Sequence, residues 1–233
     1  NDTALVTITG DGDITNDTLY STINTSVLPL PQTEGAETTL PVFSNIRIVE
    51  GTRQLWRLQT GKYGNADMTP DSITPRLPGN KFYLFDSYSG ASSVGTVNQL
   101  FSQCVQMPAN TPSVTNSTKI KFWMTHDTLF SSGANFSPDT MFVSVSTDKG
   151  LTWTRLTGFA RIDPTLTINT WQQHEVDLSA YNNGQSIQIA FEGVSYYGNA
   201  FGLDDISINA CPAAGFNATT AEACYNYTWA ANG

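Results

Sequence analysis

Two adjacent carboxylates, Asp204 and Asp205, stand in the stretch Phe201-Gly202-Leu203-Asp204-Asp205-Ile206-Ser207-Ile208, just ahead of an alternating apolar run. Neighbouring strand residues point to opposite faces, so one aspartate can face inward while the other faces outward or caps the strand end. An inward carboxylate is costly unless it is paired or bound to a metal. The chain carries only 11 Lys and Arg against 20 Asp and Glu. A hard divalent cation is therefore the expected partner, and calcium takes oxygen ligands of this kind. The alternative is that both aspartates lie in a solvated turn.

Four further groupings invite chemistry. His126-Asp127 has the composition of part of a catalytic triad, which also needs a serine on a shaped elbow and an ordered third partner. No G-x-S-x-G is present, and the second of the two histidines, His174, falls in a separate predicted strand. Neither H-E-x-x-H nor H-x-x-E-H occurs. Glu175 and Glu192 could form the carboxylate pair of a glycosidase, but no aromatic-rich cleft pattern accompanies them, and exposed charges on an outer sheet face are the expectation. Ser146-Thr147-Asp148-Lys149-Gly150-Leu151-Thr152-Trp153 has the S-x-D-x-G-x-x-W form of an Asp-box. That is a structural hairpin: Asp148 accepts from backbone N–H groups across the turn, Gly150 takes a positive φ, and Trp153 packs beneath. Tyr196 and Tyr197 stand in a loop beside the acidic pair, where they could bind a sugar or a protein or simply cover the end of a sandwich. No signature of catalysis matches the acidic pair in strength.

The elements that must position these groups are strands. Helical periodicity is almost absent, and short alternating segments recur at 4–8, 81–85, 119–124, 141–146, 174–178 and 186–191, each bounded by Gly, Pro, Asn or Asp. Many short strands of this kind close into sandwiches or jelly rolls. A hydrophobic fraction of 39% supports a core, while the charged fraction of 13% is low for a soluble domain. The net charge of −9 excludes a nucleic-acid partner, which requires clustered Lys and Arg. It fits calcium and a cell-exterior setting. No apolar run reaches the ~20 residues of a membrane span. The cysteines, Cys104, Cys211 and Cys224, form no zinc pattern. Cys211 can pair with Cys224 across a short loop, leaving Cys104 free, or Cys104 can pair with Cys211.

Three zones follow. Residues 1–28 read as the final hairpin of an upstream immunoglobulin-like domain, and 29–32 as a stiff proline-bearing joint. Residues 33–210 form the main domain, and 211–233 open a further one. Without a starting Met, and with both ends inside domains, the chain reads as a piece of a long multi-domain surface protein.

The main domain resembles the cleaved-adhesin and choice-of-anchor J domains of Bacteroidetes surface proteins, which are similar to MAM-type jelly rolls. Its marks run in order: Thr33-Glu34-Gly35 with Leu40-Pro41 and Trp56; Phe82-Tyr83-Leu84-Phe85-Asp86-Ser87-Tyr88-Ser89-Gly90; Lys121-Phe122-Trp123-Met124-Thr125-His126; the hairpin from Asp139 to Trp153; Trp171; Val176-Asp177-Leu178-Ser179-Ala180-Tyr181; and Leu203-Asp204-Asp205-Ile206. The resemblance implies an all-β jelly-roll β-sandwich with structural Ca2+, flanked by fragments of neighbouring β domains. It implies a metal set of Glu34, Asp86 and Asp205, with Asp204, Ser87 or backbone carbonyls as further ligands. Thr33 stands where an aromatic residue often precedes the acid, so Glu34 is the least secure ligand. The implied role is a non-catalytic adhesin or filament module at the cell surface, binding an extracellular protein or glycan. Export by the type IX secretion system, with its machinery as a possible partner, and gliding or attachment follow from the same likeness. The alternative is an accessory carbohydrate-binding domain of a secreted hydrolase or peptidase. Asp-Thr or Asp-Ser motifs resembling Bacteroidetes O-glycosylation sites place modification at Thr3, Thr18, Ser72, Thr128 and Thr140.

Overall fold

In this computed structural model the described residues are 2–6, 19–23, 27–37, 42–65, 72–88, 94–126, 139–166, 169–196 and 198–212. They contain fourteen strands and a single 3-10 turn at Ser179–Tyr181. The strands are β1 (Asp2–Val6), β2 (Leu19–Ile23), β3 (Gln32–Glu34), β4 (Phe43–Glu50), β5 (Trp56–Thr60), β6 (Lys81–Asp86) and β7 (Val97–Ser102). They continue as β8 (Val105–Gln106), β9 (Asn116–His126), β10 (Thr140–Ser146), β11 (Thr154–Ala160), β12 (Thr170–Asp177), β13 (Ser186–Val194) and β14 (Ala200–Pro212).

β1 and β2 pair only with each other. The other strands form two antiparallel six-stranded sheets, a jelly-roll β-sandwich. The first runs β12-β9-β14-β6-β5, with β3 also on β14; the second runs β11-β10-β13-β7-β4, with β8 also on β13. Leu28 bridges Val105, and Leu28 and Leu30 pack on the core.

Between the sheets lies an aromatic core. Trp56 meets Phe85 and Phe201 edge-on, Phe85 stacks on Phe201, and Phe43 and Phe122 both contact Phe191. Gly193 lies beneath Phe85, where a Cβ would come within 2.3 Å of the ring. The strand β6 is apolar on both faces. Tyr83 and Phe85 enter this core, while Phe82 and Leu84 join Ile73 and Ala200 in a second, smaller one. A strand covered on both sides reads as a continuous apolar run rather than an alternation. Polar groups also cross the interior. Asn98 of β7 accepts from Leu55 N–H at 2.6 Å and donates to the Arg53 carbonyl at 3.0 Å, tying the second sheet to the start of β5.

Core truncation and surface truncation should separate cleanly in urea denaturation. Phe201→Ala is expected to cost about 3–5 kcal/mol. Leu77→Ala, at a side chain 89% exposed, is expected to change stability by no more than ~0.5 kcal/mol.

Candidate functional site

At one end of the sandwich the chain passes from β13 in one sheet to β14 in the other through the loop 195–199. One buried side chain fastens that crossing. Asp139, just before β10, accepts through Oδ1 from Ser87 Oγ at 2.8 Å, Tyr196 N–H at 2.7 Å and Gly198 N–H at 3.2 Å. Its Oδ2 accepts from Arg161 Nε at 3.1 Å, with both side chains essentially inaccessible. Ser87 spends its hydrogen on Asp139, so Ser195 Oγ donates to Ser87 Oγ across 2.6 Å. The ends of β6, β11 and β13 and the start of β10 thus converge on one carboxylate. Burial pushes the Asp139 carboxyl up, and Arg161 with the three N–H and O–H donors pulls it back. Gly198 is required here, since a Cβ would lie 2.2 Å from Asp139 Oδ2.

A rim of polar and aromatic groups stands at the chain neighbours of this hub, Asp86 and Asn199. Asp86 accepts from Arg57 at 2.6 Å and from the Tyr63 hydroxyl at 3.0 Å, and Arg57 lies 5.3 Å from the centre of the Tyr63 ring. Asn65 donates to Asn199 at 2.8 Å. Tyr196, half-buried, leaves the same loop, and Tyr88 follows Ser87. Tyr197 lies outside the described residues.

Of the five residues implied as calcium ligands, Asp86 and Ser87 stand apart from the other three, while Glu34 neighbours the aspartate pair through its partner Ile206. Asp86 pairs with Ala200, whereas Glu34 pairs with Ile206. Six positions along β14 separate them, about 20 Å at the usual strand rise. Asp86 and Ser87 belong to the rim, each with protein partners. Both Glu34 oxygens accept backbone N–H groups, from Ala36 at 3.1 Å and Val42 at 2.6 Å, fastening β3 to the start of β4. Asp204 and Asp205 stand at a bulge, where Asp204 faces Trp123 but Ser207 already faces Lys121, and Asp205 takes φ 47°. This bulge is why the aspartates part company. Asp204 is buried and accepts from Asp205 N–H at 2.8 Å. Asp205 is exposed and accepts from Arg76 Nε at 2.7 Å, while the Arg76 guanidinium lies 3.6 Å from the Trp123 ring centre. Burial, then the neighbouring Asp205 charge, pushes Asp204 up to about 7 against the pull of the Asp205 N–H. Among the described residues, no three His, Cys, Asp or Glu side chains converge as a metal-holding group.

Thr3 is in β1, Ser72 is half-buried, and Thr140 is in β10, paired to both β11 and β13. Thr18 and Thr128 lie outside the described residues. In the Asp-box, Asp148 accepts from Thr152 N–H at 2.9 Å and Thr152 Oγ1 at 2.6 Å, which with Ser146 hold its carboxyl at about 2. Trp153 Nε1 donates to the Gly150 carbonyl at 3.1 Å, closing the turn. Glu175 is exposed and paired with Lys119 and Lys121. Glu192 is not exposed: Gln99 and Arg155 hold it against the second sheet. Cys104 is a free thiol and Cys211 is disulfide-bonded, which removes the Cys104–Cys211 pairing.

The two histidines meet, which sequence distance concealed. His126 Nε2 and His174 Nε2 are 2.7 Å apart, and His126 Nδ1 is 3.0 Å from the Ala160 carbonyl. Desolvation lowers both rings, His174 to about 4 with His126 adding to the effect. No serine or carboxylate completes a triad with His126 among these contacts.

No protein-family model matches the sequence, and no curated protein matches it significantly. Solved structures do share the architecture. The K2 cleaved adhesin domain of Lys-gingipain aligns at TM-score 0.51 and 17% identity, over 77% of this chain and 97% of that one. The K1 cleaved adhesin domain of Lys-gingipain from Porphyromonas gingivalis W83 aligns at TM-score 0.49 and 19% identity, over 77% and 98%. The CBM22-1 xylan-binding domain of Paenibacillus barcinonensis Xyn10C aligns at TM-score 0.40 and 13% identity, over 81% and 99%. The molecule is a jelly-roll sandwich of adhesin-like fold, and the likeness is one of fold.

Two outcomes follow from this geometry. Gly198→Ala should displace the loop, seen as loss of the slow-exchanging Tyr196 and Gly198 amide protons while core amides stay protected. The folded state holds both imidazoles neutral, below the ordinary value of 6.5. Protonation therefore favours the unfolded chain, and stability is lost as pH falls from about 6.5 towards about 4. His174→Gln should flatten that part of a melting-temperature profile.

Proposed function

We propose that this chain is a non-catalytic binding and presentation module of an extracellular or cell-surface protein. The observation that carries the reading is the rim around the buried Asp139–Arg161 pair. Hydrogen bonds fix its loop before any ligand arrives; half-buried Tyr196 leaves that loop, and Tyr63 and Arg57 stand on Asp86 next to Ser87, with Asn65 on the buried Asn199. Preformed aromatic surface with a few oriented polar groups is the common chemistry of a recognition site. The partner is a glycan or an extracellular protein. The adhesin-like fold supports placing the module in the cleaved-adhesin and choice-of-anchor J group, on the bacterial surface, with type IX export, a gliding or attachment role and O-glycosylation as parts of the same reading. Among the described residues no helix is long and apolar enough to cross a membrane.

Structural calcium belongs to this proposal at the Asp204–Asp205 bulge. What supports it is a buried carboxylate next to a second carboxylate, with Arg76 engaged by the exposed one. Oxygen donors of this kind suit calcium, and a bound ion would offset the cost of burying Asp204. Asp204 and Asp205 would hold it with backbone carbonyls. Asp86 and Ser87 lie too far off to share it.

A second reading, an accessory carbohydrate-binding domain of a secreted hydrolase or peptidase, draws on the same rim aromatics. A glycan array separates the two. Signal abolished by Tyr196→Ala supports glycan binding at the rim, and a clean array moves the partner to protein. For calcium, melting is compared in EDTA and in millimolar calcium. The native chain should gain stability with calcium and Asp204→Asn should not; equal melting of the native chain in both buffers removes the ion.

A further inference from the structure

We propose that His126 and His174 form a two-imidazole site for a divalent transition-metal ion of the zinc, copper or nickel class. These are the only histidines of the chain, one closing β9 and the other within β12. Their Nε2 atoms stand 2.7 Å apart. His126 is buried, and the His174 ring lies against Phe122 and Phe159, with ring centres 5.6 and 4.6 Å away.

The hydrogen bonds assign the tautomers. A carbonyl oxygen only accepts, so His126 Nδ1, 3.0 Å from the Ala160 carbonyl, carries hydrogen. Two protonated Nε2 atoms could not approach as these do, so one of them presents a lone pair. With its hydrogen on Nδ1, the neutral His126 ring presents that lone pair, and His174 Nε2 donates to it. A backbone carbonyl that holds the far N–H and aims Nε2 is the outer-shell arrangement that orients metal-ligating histidines.

Metal entry needs both rings to turn and to part slightly. The hydrogen on His174 Nε2 moves through solvent to His174 Nδ1, both Nε2 lone pairs turn to the ion, and no net proton is released. Two nitrogens ligating a tetrahedral zinc at ~2.0–2.1 Å stand about 3.3 Å apart, so the rings part by roughly 0.6 Å and each turns by about 35° to aim its lone pair at the ion instead of along the line between the rings. Asp163 places a carboxylate within electrostatic reach of both rings and is itself held by Thr165 N–H at 2.9 Å and Thr165 Oγ1 at 2.6 Å. It offsets charge without ligating, and water fills the remaining positions. Imidazole donors select zinc, copper or nickel over calcium, so this site is chemically separate from the aspartate bulge. An ion here would fasten β9 and β12 of one sheet beside Ala160 of β11 in the other.

The test uses the full chain stripped with EDTA and titrated with zinc chloride or copper chloride at neutral pH. Calorimetry should show one ion per chain that excess calcium does not displace. Imidazole 15N spectra of the native protein should show both Nε2 resonances moving to metal-bound positions while both Nδ1 stay protonated. In His174→Gln, with circular dichroism unchanged, affinity should drop by more than the roughly 10–100-fold that loss of an outer-shell partner costs. Unchanged imidazole resonances at saturating metal overturn the proposal, as does equal affinity in His174→Gln, which would assign the ion to another donor such as the Cys104 thiol. The native-protein spectra need no variant, so the outcome does not hang on the folding of any substitution.

Discussion

The buried Asp139–Arg161 pair is the constraint on which this end of the molecule depends. Two ionised side chains removed from water are stable only when their geometry is good and their remaining donors and acceptors are met. Here the carboxylate meets a guanidinium, a hydroxyl and two backbone N–H groups. The consequence is architectural. A jelly roll must carry its chain from sheet to sheet, and backbone polar groups at such crossings lose their ladder partners. Asp139 supplies partners at the crossing from β13 to β14. A loop fixed in this way can present Tyr196 without an ordering cost at the moment of binding.

Much of the sandwich was legible because its central strands carry strong patterns. Lys119 to Met124, Met141 to Ser146 and Ser186 to Phe191 alternate cleanly, and all three are strands. Other strands left weaker traces. β4 is exposed along most of its length, and β7 buries Asn98 and Gln99, whose polarity disguises a core strand until their partners, Leu55 across the sandwich and Glu192 on the neighbouring strand, are seen. Glu192 looked like an outward charge for the converse reason: Arg155 and Gln99 cover it in space, not in sequence.

The site was less legible than the fold, and the reasons are geometric. Glu34, Asp86 and Asp205 satisfy a motif, but the register of β14 sets Asp86 far from Glu34. The Asp-Asp pair did split as strand alternation requires, one aspartate buried and one exposed, though a bulge does the splitting. Asp139 was visible only as the first residue of a hairpin. The sequence signal that could have singled it out is an acidic residue before a strand together with Arg161, the next arginine after Arg155, at the far end of the following strand. The meeting of His126 and His174 follows from pairing β9 with β12, a long-range fact that no local pattern carries.

The fixed loop depends most directly on the coupling between Asp139 and Arg161. A double-mutant cycle with Asp139→Asn, Arg161→Met and the combined variant measures it by urea denaturation. Removing one partner should cost about 3–5 kcal/mol, because the other charge is left buried, and the double variant should cost clearly less than the two single costs together. Strictly additive costs would contradict the account, showing that the pair does not act as a unit and that the loop is held by something else.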